Sequence, residues 1–281
     1  MPDHYFRVIA GTLVVKGYEP DGDSLRFIAD NPGLYNGLRN ERKARPGKDV
    51  SLQLRFEGID APELHYGAVA QPYGDTARDV LMKAIGFQNS YSGTKVLSST
   101  PAKVPAHILT KAFDPHGRPI SYVFCGPAAG QLKSGAVIRA HDKLIAASLN
   151  AQMITKGAAY ALLYTSTPPE HRTWLTAHAK AAREEGLGLW PQDSTATFKL
   201  VDDASVTPPH GALIFPKFFR RCVDGLKAGF ANLGDWLRAT PQENDLVVYQ
   251  NVEIHMSELF VQQNARLTVQ ADPLDLVFIE K

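Results

Sequence analysis

Leu52-Gln53-Leu54-Arg55-Phe56-Glu57-Gly58-Ile59-Asp60-Ala61-Pro62-Glu63 is the stretch on which the reading of this chain turns. Leu52, Leu54 and Phe56 alternate with Gln53, Arg55 and Glu57, which predicts a strand over 50–59 with its apolar face in a core. Arg55 then points off the opposite face. The strand runs into Asp60-Ala61-Pro62-Glu63, where Pro62 lacks an N–H and stiffens the turn, fixing the direction of Glu63.

Upstream, residues 6–15 are β-rich and 23–29 alternate imperfectly, with Asp21-Gly22 as the turn between them. Residues 31–49 hold Pro32, Gly33, Gly37, Pro46 and Gly47 among Arg39, Arg42, Lys43, Arg45 and Lys48. They read as a long basic loop, either a solvated loop or one that tracks a polyanion backbone. Downstream, a helix is predicted from near Pro72 to Gly86, with Ala77, Val80, Leu81, Ala84 and Ile85 at helical spacing. Residues 88–101 read as a Ser/Gly/Thr loop, 104–113 and 119–125 as strands around an Asp114–Arg118 turn, and 126–140 as a Gly/Ala-rich excursion. Helices are predicted over 143–158, with Leu144, Ala147, Met153 and Ile154 inward, and from a Thr167-Pro168-Pro169-Glu170 capping box to Gly186.

The polar groups fit one chemistry. Asp23, Asp60 and Glu63 supply carboxylates, and Arg55 and Arg118 supply guanidinium groups. Calcium prefers several oxygen ligands, and a water beside such a cation is acidified. Arginine meets phosphate oxygens in pairs, which lysine cannot match. Taken singly, Asp-Gly is a turn and Arg55 a surface cation; only the ordered set suggests phosphodiester cleavage. His116 reads as a solvated turn residue or a phosphate contact. Tyr160 and Tyr164 read as core packing or as faces on which bases stack. His171 and His178 read as surface and packing residues, and no Cys/His zinc spacing occurs.

The order Asp21-Gly22-Asp23-Ser24, Arg55–Glu63, Gln71-Pro72-Tyr73-Gly74, His116-Gly117-Arg118, Leu149-Asn150 and Gly188-Leu189-Trp190 resembles the staphylococcal nuclease (thermonuclease) family over about residues 6–191. The resemblance implies an α+β fold: an OB-type five-stranded barrel with three helices. It implies a calcium-dependent endonuclease, weakly sequence-specific, acting on DNA and often RNA, with other divalent ions as alternatives. Asp23, Asp60 and the backbone carbonyl of Ala61 take the place of metal ligands. Glu63 takes that of the residue orienting or deprotonating water, and Arg55 and Arg118 that of phosphate clamps. Ser24 and Ala61 replace threonines common in the family, and both keep the backbone atom. The rival reading is a catalytically silent OB-fold module that binds nucleic acid or protein.

The 281 residues carry 44% hydrophobic and 21% charged side chains, enough for a sizeable core. With 30 basic and 29 acidic residues, nucleic-acid binding must come from the placement of charge. Cys125 and Cys222 show no metal spacing, and Cys125 sits in an apolar run expected to bury it. No secretory signal or membrane span is legible from Met1-Pro2-Asp3 onward, so the chain reads as cytoplasmic, or as secreted or periplasmic if a signal was removed. After Pro191 the character changes. Residues 192–211 are polar, 216–238 amphipathic and 246–279 strand-rich, which predicts a small C-terminal α/β unit over 192–281 beside a nuclease-like domain over 1–191. That unit is expected to restrain, localise or assemble the enzyme, through a protein partner or self-association.

Overall fold

Tyr5–Val14 and Val104–Phe113 form the antiparallel spine of the sheet, with Arg7 opposite Thr110 and Leu13 opposite Val104. The computed structural model describes residues 4–280; Met1, Pro2 and Asp3, read above for a leader, lie outside the described residues. The sheet has the order Leu52–Gln53, Arg26–Ala29, Tyr5–Val14, Val104–Phe113, Pro119–Cys125, Arg55–Phe56. Its two terminal strands are separated in sequence by Leu54 alone, so the sheet returns on itself as a nearly closed barrel. The fold is mixed α+β, of OB type.

The five expected strands are all present, with the third interrupted at Leu54. Val137–Arg139 adds a short strand beside Tyr5–Val14. Strand alternation sends Ile9 and Leu13 into the main core. It sends Phe6 and Val8 into a second cluster with Leu109, Tyr122 and Phe124, capped by Ala129, Ala140 and Ile145. The Gly/Ala-rich excursion after Cys125 is therefore the lid of that second cluster. His171 is fully buried under it, bonded to the Tyr122 hydroxyl and the Ala140 carbonyl.

Several local expectations are corrected. Residues 88–101 form a hairpin, Gln88–Ser92 against Lys95–Thr100, turning at Gly93 (φ 59°). The sequence looked like a loop because only Val96 is fully inward and both faces carry polar side chains. The first helix is Gly74–Ile85, two residues late, because Tyr73 adopts a left-handed conformation (φ 72°). The helix over 143–158 is two, Asp142–Ala146 and Leu149–Thr155, divided where Ser148 caps the second, and Ala147 is exposed. Thr167 does not cap Pro169–Glu184; its hydroxyl donates to Glu57 (2.5 Å). Glu57, expected on the outer strand face, is buried there.

Asn150 explains why the Leu149-Asn150 pair belongs to the pattern. Its Oδ1 accepts from Val123 N–H (3.0 Å), and its Nδ2 donates to the carbonyls of Glu57 (2.9 Å) and Ser121 (3.0 Å). This buried amide ties the strand bearing Arg55 to Pro119–Cys125. The Ser121 carbonyl keeps the Glu57 N–H (2.9 Å), so stranding the other two buried backbone groups at about 1 kcal/mol or more each predicts that Asn150→Ala loses roughly 2 kcal/mol or more of stability. Denaturant unfolding measures it; a loss below about 1 kcal/mol would mean that water replaces the amide.

Residues 192–280 fold onto the barrel. Pro216–Lys227 and Leu233–Ala239 are helices, and Val277–Phe278 pairs in parallel with Leu163–Tyr164. Phe215, Phe218, Phe219, Cys222 and Phe278 belong to the same apolar cluster as Ile59, Tyr160 and Leu163. Both cysteines are free; Cys222 is buried and Cys125 half-buried, its thiol pushed up to about 12 by burial.

Candidate active site

Gly22 lets the Asp-Gly-Asp turn reach the acid corner. A Cβ there would lie 2.6 Å from Ala61 Cβ and 2.9 Å from Ala77 Cβ, so only glycine permits this approach. The two turns are knitted together. Ala61 N–H donates to Asp23 Oδ2 (3.1 Å), and Leu64 N–H donates to the Asp21 carboxylate (3.2 and 3.3 Å). Ile59–Asp60 pairs with Tyr160–Ala161, which fixes Asp60 on the barrel. Glu63 is held by its backbone: its N–H donates to Gln71 Oε1 (3.1 Å), and its carbonyl accepts from Gln71 N–H (2.8 Å).

The arginines arrive from the Arg55–Phe56 strand and from the turn before Pro119. Asp114 builds its own turn, accepting from the N–H groups of His116 and Arg118 (both 2.9 Å) and from Arg118 Nε (2.7 Å). Arg118 lies close enough to Asp23 to draw its pKa down. Arg55 donates from Nη2 to the Tyr164 hydroxyl (3.2 Å) and lies over that ring at 5.2 Å. Burial opposes its charge, but Tyr164, Asp114 and Asp60 outweigh burial and hold it charged.

Crowded carboxylates dominate the electrostatics. Burial, then Asp60 and Glu63, push Asp23 up to about 7 against Ala61 N–H and Arg118. Burial, then Asp23 and Glu63, push Asp21 well above the usual carboxylate range. Burial raises Glu63 also, with Arg220 opposing. Asp21, Asp23, Asp60 and Glu63 thus form one acid corner, and Arg118 acts on Asp23 and Asp60 on Arg55 through their charges.

Three sequence candidates stand differently. Tyr160 offers no face to a base: it is fully buried between Trp190 (5.1 Å) and Phe215 (5.5 Å), and its hydroxyl donates to Asp193 (2.7 Å). Tyr164 is half-buried, with Arg55 over its ring at 5.2 Å and Lys217 at 5.5 Å, so cations cover the ring. His116 is exposed in the Asp114 turn, where its backbone rather than its ring is bonded.

Arg220 was not legible in the sequence as a site residue. From helix Pro216–Lys227 it forks onto Asp60, with Nη2 to Oδ2 at 2.8 Å and Nη1 to Oδ1 at 3.1 Å, and Nη1 also donates to Glu63 Oε1. The only signal was an Arg220-Arg221 pair on an amphipathic helix, and nothing local links residue 220 to residue 60. Beside the Asp-Gly-Asp turn a cavity of about 330 Å³ opens, lined by Tyr18, Arg26, Gln53, His65 and Lys95 among others. Arg26 and Lys95 there bring two positive charges against one acid, Glu19, a balance that suits a polyanion.

As donors, the clustered carboxylates fit a hard divalent cation. As arranged, two of them are bound by Arg220, and no group of three or more His, Cys, Asp or Glu among the described residues is set to hold a metal. A barrel of OB type carrying an acid corner and arginines defines the class. Residues 53–192 match the family described as staphylococcal nuclease homologue. The match begins after Asp21–Ser24, which the hydrogen bonds to Ala61 and Leu64 join to it. No curated protein matches the chain.

Proposed function

We propose that the chain is a calcium-dependent, weakly sequence-specific endonuclease that hydrolyses phosphodiester bonds in DNA, with RNA as a further substrate. The observation supporting this is the convergence of Asp23, Asp60, Glu63, Arg55 and Arg118, from three separate segments, into range of one another's charges. Asp23, Asp60 and the Ala61 carbonyl would hold the cation, which when bound would acidify water and offset phosphate charge. Glu63, held at its backbone by Gln71, receives the proton of the attacking water. Its raised pKa makes it a stronger base than an ordinary carboxylate. Arg118, oriented by Asp114, and Arg55, oriented by Tyr164, bind the phosphate oxygens. The cavity lined by Arg26, His65 and Lys95 carries the flanking strand.

Arg55→Lys or Arg118→Lys is expected to lower the cleavage rate about 10²–10³-fold with little change in the unfolding midpoint. Circular single-stranded DNA, plasmid and RNA, each incubated with calcium, magnesium, manganese or chelator, test the reaction. Closed circles are opened only by internal cutting. A rate unchanged in both lysine variants would remove the assigned roles. The Arg220 pairing favours a second reading, a silent binding module in which guanidinium stands for the cation. Circles left intact under every cation condition, by the wild type and by a variant lacking Arg220, would select it.

A further inference from the structure

We propose that helix Pro216–Lys227 is a built-in strap that closes this site, with Arg220 in the seat of the divalent cation, so that cation binding and Arg220 docking exclude each other. The inference rests on the nuclease reading above and adds its regulation.

The seat is specific to Arg220. The same helix carries Lys217 and Arg221, and both pair with acids of the C-terminal segment itself. Lys217 Nζ and Arg221 Nη2 each lie 3.0 Å from Asp245 Oδ2, and Arg221 also pairs with Glu243. Arg220 alone of the three forms its ion pairs across to the barrel, and it does so as a two-pronged fork on Asp60 that continues to Glu63. These are one carboxylate assigned to the cation and the one assigned to its water. A guanidinium brings one positive charge to a corner where Asp21 and Asp23 stand as well. A divalent cation brings two, on a smaller sphere that accepts more oxygens. The cation is therefore a stronger partner for the acids than Arg220, provided the Arg220 side chain yields.

The strap also covers the phosphate side. Lys217 Nζ reaches the Tyr164 hydroxyl (3.4 Å), the same hydroxyl that receives Arg55. The cavity beside Arg55, walled by Tyr164, Ser166 and Glu280 and by no residue of the helix, holds only about 10 Å³. That is about one water-sized probe, too small for a phosphate.

The strap is fastened to the loop that carries Glu63. One amide, Gln71, accepts from Glu63 N–H and donates to the Ile214 carbonyl (2.8 Å), two residues before the helix. Tyr66, three residues after Glu63, donates to Asp224 on the helix (2.7 Å). Release of the Arg220 side chain, with the helix still seated by its buried Phe218, Phe219 and Cys222, is therefore felt by the loop bearing the proposed base.

The test uses the full chain as wild type, Arg220→Met and Arg220→Lys. Calcium binding is read by titration calorimetry and by the calcium-induced shift in unfolding midpoint. Wild type is expected to bind weakly, Arg220→Met at least tenfold more tightly, and Arg220→Lys in between, since lysine keeps the charge and loses the fork. Cleavage by Arg220→Met should appear at correspondingly lower calcium. In wild type, amide exchange over 216–227 should rise at calcium concentrations that support cleavage, a readout that needs no variant. Equal affinity in wild type and Arg220→Met, or unchanged exchange over 216–227 while calcium-dependent cleavage proceeds, overturns the strap and leaves the nuclease reading intact. No calcium binding by Arg220→Met, with no cleavage by any form, overturns both.

Discussion

Replacing Asp23 with Asn is expected to make the protein more stable and inactive at once. Asp23 is partly buried beside Asp60 and Glu63, and burial followed by those two charges raises its pKa from an ordinary 3.8 to about 7. A carboxyl group whose pKa is higher in the folded state binds its proton more tightly there than in the unfolded chain. The native state is therefore favoured most below about pH 4, loses stability between about pH 4 and 7 as the proton leaves, and levels off above. Three units correspond to roughly 4 kcal/mol; partial solvent contact brings the realistic figure to about 2 kcal/mol. Asparagine removes the charge, and its Oδ1 can still accept from Ala61 N–H. The gain in unfolding midpoint, measured in chelator, should be larger at pH 8 than at pH 5. Calcium should then stabilise the wild type and leave Asp23→Asn unmoved, while cleavage falls about 10²-fold or more, in keeping with the several kcal/mol asked of the cation. A variant less stable than wild type at pH 8 would show that the Asp23 charge supports the fold, contrary to the crowding argued here.

The part of the site that was legible in the sequence is the part written in short backbone motifs. Asp21-Gly22-Asp23 is a turn closed by its own bonds, Gly22 N–H to Asp21 Oδ1 (2.7 Å) and Asp21 N–H to the Ser24 carbonyl (3.0 Å). Asp60–Glu63 ends a strand whose Leu52, Leu54 and Phe56 bury as their alternation predicts. Asp114–Arg118 is a self-bonded turn. Such features depend on neighbours within a few residues. What the sequence hid depends on distant partners. Glu57 looked like a solvent-facing strand residue and is buried because Thr167, a hundred and ten positions away, bonds to it. Tyr160 read equally as core or as a stacking face, and only distant Trp190 and Phe215 decide for the core. Arg220 pairs across a hundred and sixty positions with Asp60. An amphipathic helix announces an apolar face, but it does not say which of its cations will meet which acids.

Removing residues 193–281 is expected to unfold the barrel rather than release a working nuclease. Phe215, Phe218, Phe219 and Phe278 are almost wholly inaccessible and sit in the cluster that holds Ile59, Tyr160 and Leu163. At about 2 kcal/mol for each large apolar side chain, these four rings represent about 8 kcal/mol of burial, comparable to the roughly 5–15 kcal/mol stability of a whole domain. The barrel also loses polar partners. Leu163–Tyr164 loses its pairing with Val277–Phe278, Tyr160 loses Asp193, and Gln71 loses the Ile214 carbonyl. Asp60 and Glu63 lose Arg220, and breaking a buried pair costs about 3–5 kcal/mol by leaving its charges uncompensated. Calcium can answer only the last of these losses, because it supplies counter-charge and no apolar surface. Residues 1–192 alone should therefore bind a hydrophobic dye and lack near-ultraviolet circular dichroism and a cooperative transition, with calcium restoring little. A soluble 1–192 that unfolds sharply would mean that the barrel closes its own core, and that the aromatic residues after Pro191 only lie upon it.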